Sequence, residues 1–174
     1  MPGENLTRAE AAARAALVEV ESYDIALDLT RGDRVFASRT TIVFTASAGA
    51  STFVDLLADT VHEILLNGRH VDPRAWDGAR ITLHDLAEHN ELRVLADARY
   101  MTTGEGLHRF VDPVDQEVYL YSQFEVADSR RVFAVFEQPD LKASFRFTVT
   151  APQHWTVVSN SPTPEPTAAD ARRQ

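Results

Sequence analysis

The 174-residue sequence contains no cysteine. That excludes disulfides, thiolate nucleophiles and every metal site that relies on sulfur. Lysine is almost as scarce, since Lys142 is the single one and the other 16 of the 17 basic residues are arginine. Against 26 acidic residues this leaves a formal charge of −9 with no compact basic cluster, so nucleic acid is not an expected partner. No stretch approaches the roughly 18 apolar residues needed to cross a bilayer. The alanine-rich start is interrupted by Arg14, so neither a membrane segment nor a signal core is expected, and a cytoplasmic location fits. Arginine favoured over lysine, together with abundant alanine, is the bias that a high-GC bacterial genome commonly gives.

What is present begins with Thr7-Arg-Ala-Glu10, a capping-box pattern that predicts a short helix over 8–17 lying on the surface of the domain. From Val20 the period becomes twofold. Tyr23, Ile25, Leu27 and Leu29 alternate with polar or small residues, and a turn at 31–34 leads into a second alternating run containing Phe36, Thr40, Ile42 and Phe44, which reads as a hairpin. Further short strands are expected at 52–57, 62–66, 80–83, 91–96, 118–125, 143–150 and 155–159, with turns such as Asn67-Gly68 and Asp72-Pro73 between them. A short turn or helix is expected after Asp128. The fold class is therefore all-β, a saddle-shaped antiparallel β-sandwich with a short N-terminal helix. Its expected parts are a helix over 1–19, the sandwich over 20–160 and a Pro-rich tail over 161–174 that forms a truncated connection.

Most candidates for chemistry fall away on spacing. In His62-Glu63-Ile-Leu-Leu66 a leucine stands where a second helical zinc ligand would be needed, and the segment fits a strand entering the Asn67-Gly68 turn. Gly104-Glu-Gly106 lacks a third glycine and is read as opening a mobile connection rather than a dinucleotide loop. His84 and His89 are five apart, while His108 and His154 have no paired ligand nearby. No catalytic or metal-binding residue is expected in this chain.

One strand carries a more pointed pattern. Over 118–125 the twofold period puts Tyr119, Tyr121, Gln123 and Glu125 on one face and Val118, Leu120 and Phe124 on the other. An ammonium has three donors and one charge, so amide and carboxylate oxygens side by side suit it. By alternation alone, however, such residues are ordinarily just solvent-facing positions.

The order Tyr119-Leu-Tyr-Ser-Gln123-Phe-Glu125, Asp128-Ser-Arg-Arg131, Phe133-Ala-Val-Phe-Glu137-Gln-Pro139 and Leu141-Lys-Ala-Ser-Phe145 resembles the aminopeptidase N family of zinc metallopeptidases. The likeness extends to the opening segment and to the late VTAPQHWTVVSNSP, so it covers nearly the whole chain. It departs at Ala134-Val-Phe-Glu-Gln-Pro139, where relatives often have Pro-Cys-Phe-Asp-Glu-Pro. The resemblance implies an N-terminal domain without the Gly-Ala-Met-Glu-Asn and His-Glu-x-x-His segments, zinc being held in a catalytic domain of the same polypeptide. It implies that Gln123 and Glu125 recognise the amino end of a peptide substrate, and that Arg130, Arg131 and Glu137 fix local geometry. It also implies that a strand returns after Asn160 to complete the domain, leaving 162–174 unpaired here. Two other classes are consistent with the fold: a scaffold homologue that has lost zinc, and a free-standing module for protein or carbohydrate. The latter requires an exposed aromatic platform, for which only Trp76 and Trp155 are available.

Overall fold

Thr7 starts the single α-helix found among residues 5–168, which are the residues described by the computed structural model. Its hydroxyl accepts from the Glu10 N–H at 3.2 Å, and the Glu10 carboxylate accepts from the Thr7 N–H at 2.8 Å. Both halves of the capping box are thus made, and α1 runs over Arg8–Leu17 before the chain turns directly into β1, Val18–Asp28. The next strands are β2 (Val35–Ala46), β3 (Thr52–Asp55), β4 (Thr60–Leu66), β5 (Arg69–His70), β6 (Arg80–Leu83) and β7 (His89–Arg99). The last three are β8 (Gly106–Val111), β9 (Val118–Gln123) and β10 (Ser144–Thr150).

Twofold alternation is what builds the main sheet. In β1 Tyr23, Ile25 and Leu27 point inward, and in β2 Phe36, Thr40, Ile42 and Phe44 do so. Pairing gives a six-stranded sheet in the order β10-β1-β2-β7-β4-β5. Its inner face packs on the β3–β6 pair and on the buried segment from Val132 to Phe136, forming one continuous core with Val54, Leu56, Ile81 and Leu83. The turn between β4 and β5 is made by Asn67 and Gly68 with φ of 53° and 74°, the left-handed pair that a two-residue hairpin demands. Beside this body, β8 and β9 form a separate two-stranded arm.

Three departures from the expected strands have physical reasons. Residues 155–159 form no strand, because Pro152 offers no N–H and the Trp155 N–H is committed to the Pro152 carbonyl in a turn. Gly104 to Gly106 opens β8, not merely a connection, because glycine at φ +90° and +60° lets the chain fold back against β9. One pair is parallel: β10 reaches the sheet by a long excursion and runs alongside β1. At the tail, residues 161–168 lie exposed without strand pairing, and the remainder of the expected 162–174 segment is outside the described residues.

Candidate functional site

The end of β9 is where the polar face of the arm meets the body of the domain. Tyr119 and Tyr121 are about half exposed, whereas Leu120 and Phe124 pack against the core, so the predicted alternation holds that far. Glu125 does not continue it. The strand ends at Gln123, and the Glu125 N–H turns back to donate to the Gln123 side-chain Oε1 at 2.8 Å. The Gln123 side chain is therefore tied to the Glu125 backbone by a turn, and the two residues do not share a strand face. The Glu125 carboxylate is exposed and accepts no hydrogen bond from the described residues, and the Gln123 amide nitrogen is likewise uncommitted.

That turn is braced from beneath. Asp128 N–H donates to the Glu125 carbonyl at 3.2 Å, and a 3₁₀ turn over Ser129–Arg131 comes next. Glu137 caps it, its Oε2 accepting from the Ser129 hydroxyl at 2.5 Å and from the Arg130 N–H at 2.8 Å. Burial pushes the Glu137 carboxyl above its usual range, against the opposing pull of those two donors. Arg130 is buried and donates to Asn5 Oδ1 at 2.9 Å, while its carbonyl accepts from Leu57 N–H at 2.8 Å. Arg131 pairs with Asp128 at 2.9 Å and with Glu105 at 3.3 Å. Gly106, opposite Gln123 in the ladder, lies so close to this turn that a Cβ there would sit 2.8 Å from the Arg131 Cβ.

A second polar layer, which sequence reasoning misses, ties α1 to the same region. Arg14 and Asp55, both almost fully buried, pair at 2.9 Å. The Arg14 Nε donates to Gln138 Oε1 at 3.0 Å, and Asp55 Oδ2 also accepts from the Glu137 N–H at 3.1 Å. Arg80 adds a 2.6 Å bond to Glu10, and both guanidinium groups lie over the Phe53 ring, at 4.8 Å for Arg14 and 4.2 Å for Arg80. One signal is available in the sequence: Asp55 stands in the apolar run Phe53-Val-Asp-Leu-Leu57, where a carboxylate requires a cation. A cavity of about 340 Å³ lies behind the turn, lined by Ala11, Asp55, Ala127, Arg130 and Glu137 among others, and by neither Gln123 nor Glu125.

The Glu10 contact sets a pH dependence. Hydrogen bonds from Arg80 and Thr7 hold its carboxyl down at about 2. A depressed carboxyl contributes stability that is complete above its unfolded value near 4.5 and is lost as pH falls toward 2. Glu137, shifted the other way, is relieved by acid before that window is reached. Urea unfolding of the parent and of Glu10→Gln should therefore differ at pH 6 and converge near pH 2; a gap that persists at pH 2 would contradict the Glu10 tether.

His62 is in β4, and its Nε2 lies within hydrogen-bond distance of Asp97 at 2.8 Å, which leaves it a hydrogen-bonded strand residue. Among the described residues no three His, Asp or Glu side chains cluster so as to hold a metal. None of the described helices is long and apolar enough to cross a membrane.

Comparison with known proteins decides the family. The peptidase M1 N-terminal domain model matches residues 19–173. The chain belongs to that family. It is 58% identical to aminopeptidase N of Streptomyces lividans over 171 residues, covering 95% of this chain and 20% of that protein. The fold is also that of Legionella pneumophila aminopeptidase A, with a TM-score of 0.63 at 15% identity over 76% of this chain and 16% of the other. It is similar to an M1 zinc metallopeptidase of Deinococcus radiodurans, with a TM-score of 0.55 at 18% identity over 76% of this chain and 32% of the other. The chain spans about one fifth of the length of its Streptomyces relative. The sequence contains no His-Glu-x-x-His motif.

Proposed function

We propose that this chain is the non-catalytic N-terminal part of a zinc-dependent aminopeptidase N that releases N-terminal residues from peptides. In that reading Gln123 and Glu125 line the side of the cleft that recognises the substrate's amino group. The observation that carries it is the turn itself: an exposed carboxylate with no partner among the described residues, and an amide two residues before it, above a hydrogen-bonded support. Arg130, Arg131 and Glu137 act in this reading as the support, since their contacts run beneath the turn and not into solvent beyond it.

The partner is the zinc-holding catalytic domain of the same polypeptide, and the substrate is a peptide N-terminus. Phe145 and Phe147 favour a docked neighbour, for they form a stacked pair on the edge strand β10 and are 50% and 45% exposed. A free-standing carbohydrate module is disfavoured because Trp76 is half-buried and donates its indole N–H to the Leu56 carbonyl at 3.0 Å, so it is no open platform. A cytoplasmic compartment is part of the same proposal.

The division of labour has a direct test. Incubated with zinc and chromogenic amides of alanine, leucine and arginine, the 174-residue chain alone should leave them intact. Reproducible turnover abolished by a chelator would contradict the assignment of all chemistry to the other domain.

A further inference from the structure

The segment before β8 is held by a hydrogen bond that an imidazole can make in only one charge state. Gly104 donates its backbone N–H to Nδ1 of His108 at 3.0 Å. A backbone N–H can only donate, so this nitrogen must carry a lone pair and the proton of the neutral ring sits on Nε2. The ring also stacks on Tyr121, its partner across the ladder, with centroids 4.7 Å apart and planes 25° from parallel. Gly104 lies beside the Tyr121 hydroxyl, and its φ of +90° favours glycine.

The loop is fixed on its other side as well. Met101 exchanges backbone hydrogen bonds with Leu107 and Arg109 at its base, and Glu105 reaches Arg131 and the Thr103 hydroxyl. Gly106, where the loop ends, is paired with Gln123 and pressed on Arg131. Gly104 thus lies two residues from the glycine that faces the end of β9. The charged and titratable groups on the surrounding elements include Tyr100 and Glu105 in the approach, Arg109 on β8, Tyr119 and Tyr121 on β9, Glu125 and Asp128 in the turn that follows, and Arg130 and Arg131 in the 3₁₀ turn. Glu105 is already shared between Arg131 and Thr103, and Tyr119 donates to Asp115.

We propose that His108 is a pH-responsive positioning residue: neutral, it locks the Gly104 loop beneath the Gln123 end of β9, and protonated, it releases that loop. The imidazolium has a proton on both nitrogens, so the Gly104 N–H loses its acceptor and meets another donor. The effect on catalysis rests on the amine-recognition reading of Gln123 given above; the loop contact does not.

Amide exchange of Gly104 in the 174-residue chain, corrected for intrinsic rates, reads the contact at pH 5 and pH 7.5. The wild type should be at least about tenfold better protected at pH 7.5, following the His108 ring resonances. His108→Phe keeps a stacking ring without an acceptor and should lose protection at both pH values. His108→Asn restores an acceptor that does not titrate and should be protected at both. Protection that is equal at the two pH values in the wild type, or that survives in His108→Phe, overturns the proposal. In the complete enzyme His108→Phe should raise KM more than it lowers kcat. An unchanged KM alongside the lost protection would keep the loop lock and count against the role of Gln123, so the two ideas fail separately.

Discussion

Asp55→Ala should destabilise the chain by about 3–5 kcal/mol, the range for removing one partner of a buried ion pair. The residue is 1% exposed, and loss of its carboxylate strands Arg14, a residue 2% exposed, without that counter-charge. It also removes the carboxylate 3.7 Å from Arg80 and the acceptor of the Glu137 N–H. A domain of this size is stable by about 5–15 kcal/mol, so roughly a fifth of the total or more is at stake. Asp55→Asn keeps an acceptor for Glu137 and should fall between the two. Urea midpoints measure this, and a shift corresponding to under about 1 kcal/mol for Asp55→Ala would mean that the two arginines find other partners.

If Glu125 reads the substrate's amino group as proposed, Glu125→Ala in the full-length protein should lower kcat/KM about 10- to 150-fold, from the roughly 1.5–3 kcal/mol of a charge-assisted hydrogen bond at a desolvated site. Gln123 should matter less, since part of its amide is already spent on the Glu125 N–H. The stability of the domain should change little with Glu125→Ala, because the carboxylate is exposed and makes no hydrogen bond or ion pair with the described residues. That separation between activity and folding is what distinguishes a substrate contact from a structural residue. A specificity constant within about twofold of the parent would remove Glu125 from the cleft.

The elements that obey a local rule are legible in the sequence. The capping box at Thr7 and Glu10, the Asn67-Gly68 hairpin and the alternation through Tyr23, Ile25 and Leu27 each act over a few residues, and each is found where the pattern puts it. Strand β8 escapes a sequence reading because its residues, Gly106 to Val111, have no clean alternation; pairing with β9 is what makes them a strand. The expected strand at 155–159 fails for the converse reason, since Trp155 and Val157 have suitable side chains but no partner edge in the described residues.

Family resemblance singles out Gln123 and Glu125 and alternation assigns them to one strand face, yet a turn is what joins them. A sequence period cannot reveal that a side-chain amide will capture the N–H two residues on. The Arg14–Asp55–Arg80 layer is harder still, because its members are 41 and 25 residues apart and only the folded sheet brings them under α1. In the sequence Arg14 is merely the residue that interrupts an apolar run. In the fold it is the ion that carries the helix onto the sheet.

The most direct test of amine recognition compares two inhibitors of the complete enzyme, identical except that one lacks the α-amino group. In the parent enzyme the amino compound should bind about 10- to 150-fold more tightly, and Glu125→Ala should erase most of that preference while leaving the affinity of the desamino compound within about twofold. An undiminished preference in Glu125→Ala would show that the amino group is read elsewhere.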